Sequence, residues 1–183
     1  DVLVDREAGA GYALQLAANG QTEIYDSAGL LQEVYDASGQ RTLVLAYSGA
    51  VTPTEAAPGP DMLLSVADSS GRSLRFSYNS ASQLTKVLLP DGGVQAFTYN
   101  ASGQLASVTY PDFTVKGYIY NEPANSPAAA GTSFLTGIVD EKGARYETIK
   151  YNYNNRAYHA EFAGGVDTTT LDYAASTWKG TLP

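Results

Sequence analysis

The hydrophobic positions of this chain recur in phase over long distances. Leu63, Leu84 and Leu105 stand 21 residues apart, and Val66, Val87 and Val108 keep the same step. Tyr78, Tyr99 and Tyr120 follow, each with an aromatic residue two places before it (Phe76, Phe97, Tyr118) and an asparagine directly after (Asn79, Asn100, Asn121). Self-similarity at a fixed period is the mark of stacked supersecondary units. The register extends upstream through Leu31, Val34, Asp36 and Gly39, and downstream through Leu135, Ile138, Asp140 and Gly143. Ala157 and Gly165 hold the Leu and Gly places in a weaker sixth row. In three rows the closing tyrosine comes one residue late, at Tyr47, Tyr151 and Tyr173, which predicts a one-residue bulge there. Residues before Ile24 fit the pattern poorly, with Asn19-Gly20 an isolated turn signal.

Polar punctuation separates the apolar pieces. One mark reads Tyr-Asp/Asn-x-x-Gly-x-Leu, as in Tyr25-Asp26 to Gly29 and Leu31, and in Tyr99-Asn100 to Gly103 and Leu105. The other is Asp-x-x-Gly, as in Asp68 to Gly71 and Asp140 to Gly143. Asp or Asn opening a turn accepts a bond from the backbone two residues on, and Gly supplies the left-handed residue of a type I turn with a G1 bulge. Asn155 takes the Gly place in the Tyr151 row and tolerates positive φ; Ser82, in the Tyr78 row, suits it less well. The pieces between, such as Leu84–Leu89 and Val94–Tyr99, are short and rich in Val, Thr, Tyr and Phe, the signature of strands.

The expected fold is therefore all-β: an antiparallel β-hairpin meander with two strands per 21-residue repeat, forming a curved, twisted open sheet. Aromatic residues at i and i+2 share a strand face, so they should form a stripe that anchors the covered side. Proline-rich stretches at 48–62 and 122–134 each replace a Tyr-Asp turn and read as long loops. The expected organisation is a lead-in over 1–23, a repeat domain over 24–173 and a tail over 174–183.

Composition narrows the function. A length of 183 residues suits one domain. Fourteen tyrosines and 16% charged residues argue against coiled coils and helical solenoids. A net charge of −8 repels phosphate backbones, so no nucleic-acid partner is expected. No apolar run reaches membrane-span length. The absence of cysteine excludes disulfides, thiolate metal sites and cysteine nucleophiles. The chain begins at Asp1 without Met and reads as a piece of a longer protein.

Candidate chemistry is sparse. His159 is the sole histidine, without a Gly-x-Ser-x-Gly elbow, and reads as structural. The Asp-x-x-Gly turns lack calcium-loop spacing. Asp140-Glu141 lies in a turn, where a glycosidase pair would need a cleft. Gly92-Gly93 and Gly164-Gly165 lack the rest of a phosphate loop. Asn100-Ala101-Ser102 is a formal glycosylation sequon inside a turn motif. The tyrosines offer the rival to pure packing, since exposed rings can stack on sugars. The expectation is no enzyme, cofactor or metal, with the working residues being those of the repeat: Tyr25, Asp26, Gly29, Leu31, Asp36, Gly39, Leu63, Asp68, Gly71, Tyr78, Asn79, Leu84, Tyr99, Asn100, Gly103, Leu105, Tyr120, Leu135, Asp140, Gly143, Tyr151 and Asn155. Open sheet edges and an uncovered aromatic face further predict self-association as a two-fold dimer.

Tyr-Asp-x-x-Gly-x-Leu at this period resembles the repeats of bacterial Rhs (YD-repeat) proteins, from about Ile24 to Tyr173. The stretch Leu135-Thr-Gly-Ile-Val-Asp-Glu-Lys-Gly-Ala-Arg-Tyr146, with Arg156-Ala157 and Ala163-Gly164-Gly165 beyond it, is similar to a signature block of that family. The resemblance implies a segment of a spiral β-shell that encloses a C-terminal toxin, in a secreted or cell-surface protein. It implies as partner the rest of the polypeptide; the alternative, which rests on the exposed tyrosines and not on the resemblance, is an extracellular glycan- or cell-wall-binding repeat module. The family's self-cleaving core carries Asp-Pro-x-Gly; no Asp-Pro dipeptide occurs here, so no self-cleavage is expected.

Overall fold

The computed structural model describes residues 1–6, 9–127, 133–173 and 179–181. The chain divides into two compact units, Asp1–Gln95 and Ala96–Pro183. The first carries β1 (Val2–Asp5), β2 (Tyr12–Gln15), β3 (Thr22–Tyr25), β4 (Leu31–Tyr35), β5 (Arg41–Tyr47), β6 (Leu63–Asp68), β7 (Ser73–Tyr78) and β8 (Leu84–Leu88). The second carries β10 (Leu105–Thr109), β11 (Val115–Tyr120), β12 (Leu135–Val139), β13 (Arg145–Tyr151), β14 (Ala157–Phe162), β15 (Val166–Asp172) and β16 (Lys179–Thr181). β9 (Val94–Tyr99) begins two residues before the boundary. Within each unit the strands lie in sequence order, antiparallel to their neighbours, and the described residues contain no helix. Among the described residues, no helix is thus long and apolar enough to cross a membrane. Among the described residues, β1 pairs with β2 in the first unit and β16 with β15 in the second.

The turns obey one hydrogen-bond rule. At Asp68 the backbone N–H donates to the Arg72 carbonyl (2.9 Å), and the Gly71 N–H donates back to the Asp68 carbonyl (3.0 Å). Asp68 Oδ1 then accepts from the N–H groups of Ser70 and Arg72. The same double acceptance recurs at Asp26, Asp36, Asn79, Asn100, Asp140 and Asn152. An Asx side chain thus satisfies two donors that the tight loop would otherwise leave to water. The fourth residue is left-handed throughout, with Asn155 at φ 60° and Ser82 at 61° where glycine is absent.

The Leu and Val columns stand three apart, which simple alternation would put on opposite faces. A bulge resolves this. Tyr99 opposes Leu105 and Phe97 opposes Val108, leaving Ala106 as the extra residue on β10. The same shift leaves Gln32, Leu64, Thr85, Thr136 and Tyr158 as extra residues after the other Leu-column positions. Directly opposed residues share a face. Tyr, the residue two before it, Leu and Val or Ile therefore all point to one side. Two bulge threonines also satisfy a carbonyl across the strand pair: Thr85 Oγ1 donates to Ser77 O (3.1 Å) and Thr136 Oγ1 to Ile119 O (3.2 Å).

The late tyrosines have a different cause from the one expected at their own position. Their strands carry the extra residue at the opposite end, beside the Asp-x-x-Gly turn or, before β15, beside the Phe162–Gly165 turn. Thr42 is extra between the Val34–Leu43 and Tyr35–Arg41 pairs, and Tyr146 between the Ile138–Glu147 and Val139–Arg145 pairs. β15 gains its residue at Asp167 or Thr168, between the Ala160–Thr169 and Phe162–Val166 pairs.

Burial follows the valine column more than the aromatic stripe. Val34, Val87 and Val108 are buried, whereas Phe76, Tyr78, Phe97, Tyr99, Tyr118 and Tyr120 are half-buried. Within each unit the described strands form a single layer. Val87 and Val108 stand opposite Phe76 and Phe97, while Val34 stands between Glu23 and Leu43.

Candidate functional site

The repeat-motif residues occupy the turns and the opposed Tyr–Leu positions just described, so the chain spreads them along the sheet instead of gathering them in a cleft. The tyrosine hydroxyls add a rung-to-rung tie. Tyr47 donates to the Leu31 carbonyl and Tyr78 to the Leu63 carbonyl, both at 2.9 Å, and Tyr173 donates to the Ala157 carbonyl at 2.7 Å. Burial pushes the Tyr47 and Tyr78 phenols above their ordinary range, so they remain donors at neutral pH.

The two insertions keep the bonds of the turns that they interrupt. Ser48 stands in the Asp place: its N–H donates to the Met62 carbonyl, its carbonyl accepts from Asp61, and its Oγ accepts from the Met62 N–H. Asp61, at φ 61°, stands in the Gly place. In the second insertion the Asn121 N–H donates to the Phe134 carbonyl, and Asn121 Oδ1 accepts from the Phe134 N–H. Each insertion also forms a tight turn closed on one carbonyl. The N–H groups of Ala56 and Ala57 converge on the Pro53 carbonyl, and those of Asn125 and Ser126 on the Glu122 carbonyl. Both turns then run into a proline, Pro58 or Pro127. Each covers the backbone of a tyrosine in the next repeat: Ala56 O accepts from Tyr78 N–H (3.0 Å), and Asn125 O from Tyr151 N–H (2.8 Å).

The most organised polar cluster ties down the second insertion. Arg145, first residue of β13, forms a two-pronged pair with Glu122: Nη1 to Oε1 at 2.8 Å and Nη2 to Oε2 at 2.7 Å. Nη2 also donates to the Thr136 carbonyl and Nε to Thr148 Oγ1, both at 2.8 Å. Thr136 is fully buried. Asn125 Nδ2 donates to Glu122 Oε2 at 3.2 Å, and the Thr136 hydroxyl accepts from the Glu122 N–H. Gly137 makes room for the guanidinium, because a Cβ there would lie 2.7 Å from Arg145 Cζ. The planar fork of arginine suits this arrangement, and lysine could fill only one of its bonds. The Arg145 pair holds the Glu122 carboxyl well down, at about 2, while Glu122 raises the arginine in turn. Chemically this is a lock. A carboxylate that already accepts from two guanidinium nitrogens and an amide, at such a pKa, is a poor proton acceptor at neutral pH.

Sequence reasoning picked out the Leu135–Tyr146 stretch but not its partner Glu122. The available signal was an acidic residue opening a proline-containing insertion, with an arginine beginning a later strand. The other candidates remain apart. His159 Nε2 is buried and lies 3.3 Å from Glu161 Oε2 without hydrogen-bond geometry. Glu141 pairs with Lys116 at 3.2 Å, while its neighbour Asp140 is spent on its turn. Asn100 of the sequon is occupied by Ser102 and Gln104. Among the described residues, no group of three or more His, Asp or Glu side chains is arranged to hold a metal ion.

Residues 61–94 and 78–115 match the RHS Repeat family. Residues 61–115 thus carry Rhs (YD) repeats. No curated protein matches the chain in sequence. Among solved structures it is similar to TcdB2-TccC3, at 15% identity over 90% of this chain and 13% of that one, with a TM-score of 0.45. TcdB2-TccC3-TEV gives 15% identity over 92% of this chain and 13% of that one, at a TM-score of 0.44. The Photorhabdus luminescens Tc holotoxin pore gives 16% identity over 90% and 12%, at 0.43. The YD-repeat chain thus spans about an eighth of the length of these solved chains.

Proposed function

We propose that this YD-repeat chain is a non-catalytic stretch of shell wall, which encloses a C-terminal toxin segment of its own polypeptide in a secreted or cell-surface bacterial protein. The observation that carries this reading is the one-sided apolar face. The bulge after each Leu-column position turns Tyr, Leu and Val to a single side, and the half-buried rings there keep surface for a polypeptide partner. The partner is then the rest of the polypeptide, and a chain with charge −8 takes no nucleic acid. An isolated wall self-associates through the same face or through a sheet edge.

The test is limited proteolysis of the longer polypeptide that carries this segment. The C-terminal segment should resist protease in the native protein, and should become accessible when Val87→Asp and Val108→Asp charge the apolar face. Equal cleavage in both proteins, with the wall folded by circular dichroism, would overturn the reading. The absence of catalysis is tested separately. Intact mass should stay at 19.3 kDa after prolonged incubation, and conversion into two defined products would contradict it.

A further inference from the structure

Three turn tips hold out a large apolar side chain: Val51, Phe113 and Tyr153 are 96%, 86% and 95% exposed. Tyr153 departs from the repeat, whose other Tyr-Asp turns place Ser27, Ser80 or Ala101 there. Its turn is held in one geometry. Asn152 Oδ1 accepts from the N–H groups of Asn154 and Arg156, and the Tyr151 N–H just before it donates to the Asn125 carbonyl. Arg156 closes the turn with an exposed side chain, its guanidinium 5.2 Å from the centre of the Tyr173 ring and without an ion pair among the described residues. The turn thus presents a tyrosine ring and an unanswered cation together, two of the residue types that dominate protein–protein contacts.

The apolar face carries a matching recess. Leu43, Val66, Leu74 and Leu89 line a groove of about 510 Å³, with the Asp68–Arg72 and Leu89–Gly93 turns at its rim. The rim charges are unbalanced. Asp68 is paired with Arg72 at 2.6 Å, whereas Asp91 is exposed, gives one oxygen to the Gly93 N–H and has no ion pair among the described residues. We propose that the chain self-associates by seating Tyr153 of one copy in this groove of a second copy, with Arg156 against Asp91. A covered tyrosine ring removes about 150–250 Å² from water. Charge selects this tip over the other two. Phe113 follows Asp112 and would bring an acid to an acidic rim, and Val51 stands in the uncharged stretch 49–53, which leaves Asp91 unanswered. Tip and groove are different surfaces, so the contact is heterologous: it closes where two copies exchange tips and otherwise extends. A contact well under about 1,000 Å² is weak and concentration-dependent. It gives a surface to the self-association of the isolated wall and rests on that part of the proposed function, not on toxin enclosure.

The experiment is analytical ultracentrifugation of this chain across a concentration series up to about 500 µM, where the mass should rise above 19.3 kDa with a Kd on the order of 10–100 µM. Tyr153→Ser, the residue found at this place in two other turns, should weaken association at least tenfold with an unchanged melting temperature. Arg156→Glu and Asp91→Lys should each weaken it, and the double variant carrying both should recover most of the parent's affinity, because the swapped charges meet again across the contact. Asp91→Asn keeps an oxygen for the Gly93 N–H and should weaken association as well, so the charge is tested even where the lysine disturbs the turn. The contact is refuted if Tyr153→Ser associates as tightly as the parent, or if the double variant associates no better than either single one. A chain that stays at 19.3 kDa throughout refutes the contact and the self-association of the wall together. Association indifferent to Tyr153, Arg156 and Asp91 refutes the contact alone and assigns self-association to another part of the face or to a sheet edge.

Discussion

The 48–62 and 122–134 insertions open the same kind of turn, keep its bonds, and cap a tyrosine of the next repeat with one carbonyl, yet only the second is fastened by charge. In the first, Ser48 does the anchoring through three hydrogen bonds and near-complete burial, with Ser48 Oγ also donating to Gly59 O at 2.7 Å. Leu64, Ser65 and Ser73 stand where the second has Thr136, Gly137 and Arg145, so no fork and no cleared space exist there. The bulged hairpin closes either way. The lock is an addition to that closure, and it stands beside Tyr153 and Tyr158, which depart from the repeat. A wall element needs only backbone closure, whereas a surface that presents side chains gains from a loop held in one geometry.

Breaking the lock should give the largest difference between the two. Arg145→Ala leaves Glu122 and the Thr136 carbonyl without their partner and empties the space over Gly137. The expected loss is about 2–3 kcal/mol, below the value for fully buried pairs because this one is part-exposed. Limited proteolysis should cut near 122–134 and spare 48–62. Ser48→Ala reverses the comparison at a smaller cost, about 1–2 kcal/mol for the unsatisfied Met62 N–H and Gly59 carbonyl. It should expose the Tyr78 amide to hydrogen exchange and leave the Tyr151 amide protected.

Acid should distinguish the insertions too. Glu122 has its folded pKa lowered from the usual 4.5 to about 2, so its contribution is present above about pH 4.5 and is lost as pH falls towards 2. After discounting for solvent screening it is worth about 1–2 kcal/mol. Protection of the Tyr151 amide, corrected for intrinsic exchange, should therefore fall relative to Tyr78 over that window. Parallel loss at both amides would mean that general acid unfolding, not this pair, governs the loop.

The smallest effect concerns a turn. Phe113 occupies the left-handed place at φ 67° and is 86% exposed, where the matching turn at Leu89–Gly93 has Gly92 at 88°. Phe113→Gly should raise stability by about 0.5–1 kcal/mol by removing that strain, seen as a small increase in melting temperature. Neither insertion should respond.

The fold was legible because the 21-residue phase writes itself into residues whose chemistry is specific to turns. Asp68, Gly71, Asn100 and Gly103 can be read singly. The face assignment was less so. Leu105 and Val108, three apart, look like residues on opposite faces until the bulge at Ala106 is known, and alanine gives no sign of it. The late tyrosines signalled an extra residue correctly, but side-chain pattern could not say which end of the strand held it. Glu122 was invisible for a different reason: its partner lies 23 positions away, and nothing in local pattern pairs them.

The central claim is that a bulge after each Leu-column position turns Leu, Val, Tyr and its aromatic companion to one face. Cross-strand Hα–Hα nuclear Overhauser contacts and side-chain contacts in the β9–β10 hairpin test it most directly. The account predicts Phe97 opposite Val108 and Tyr99 opposite Leu105, with Ala106 unopposed. Phe97 opposite Ser107, in an unshifted ladder, would contradict it.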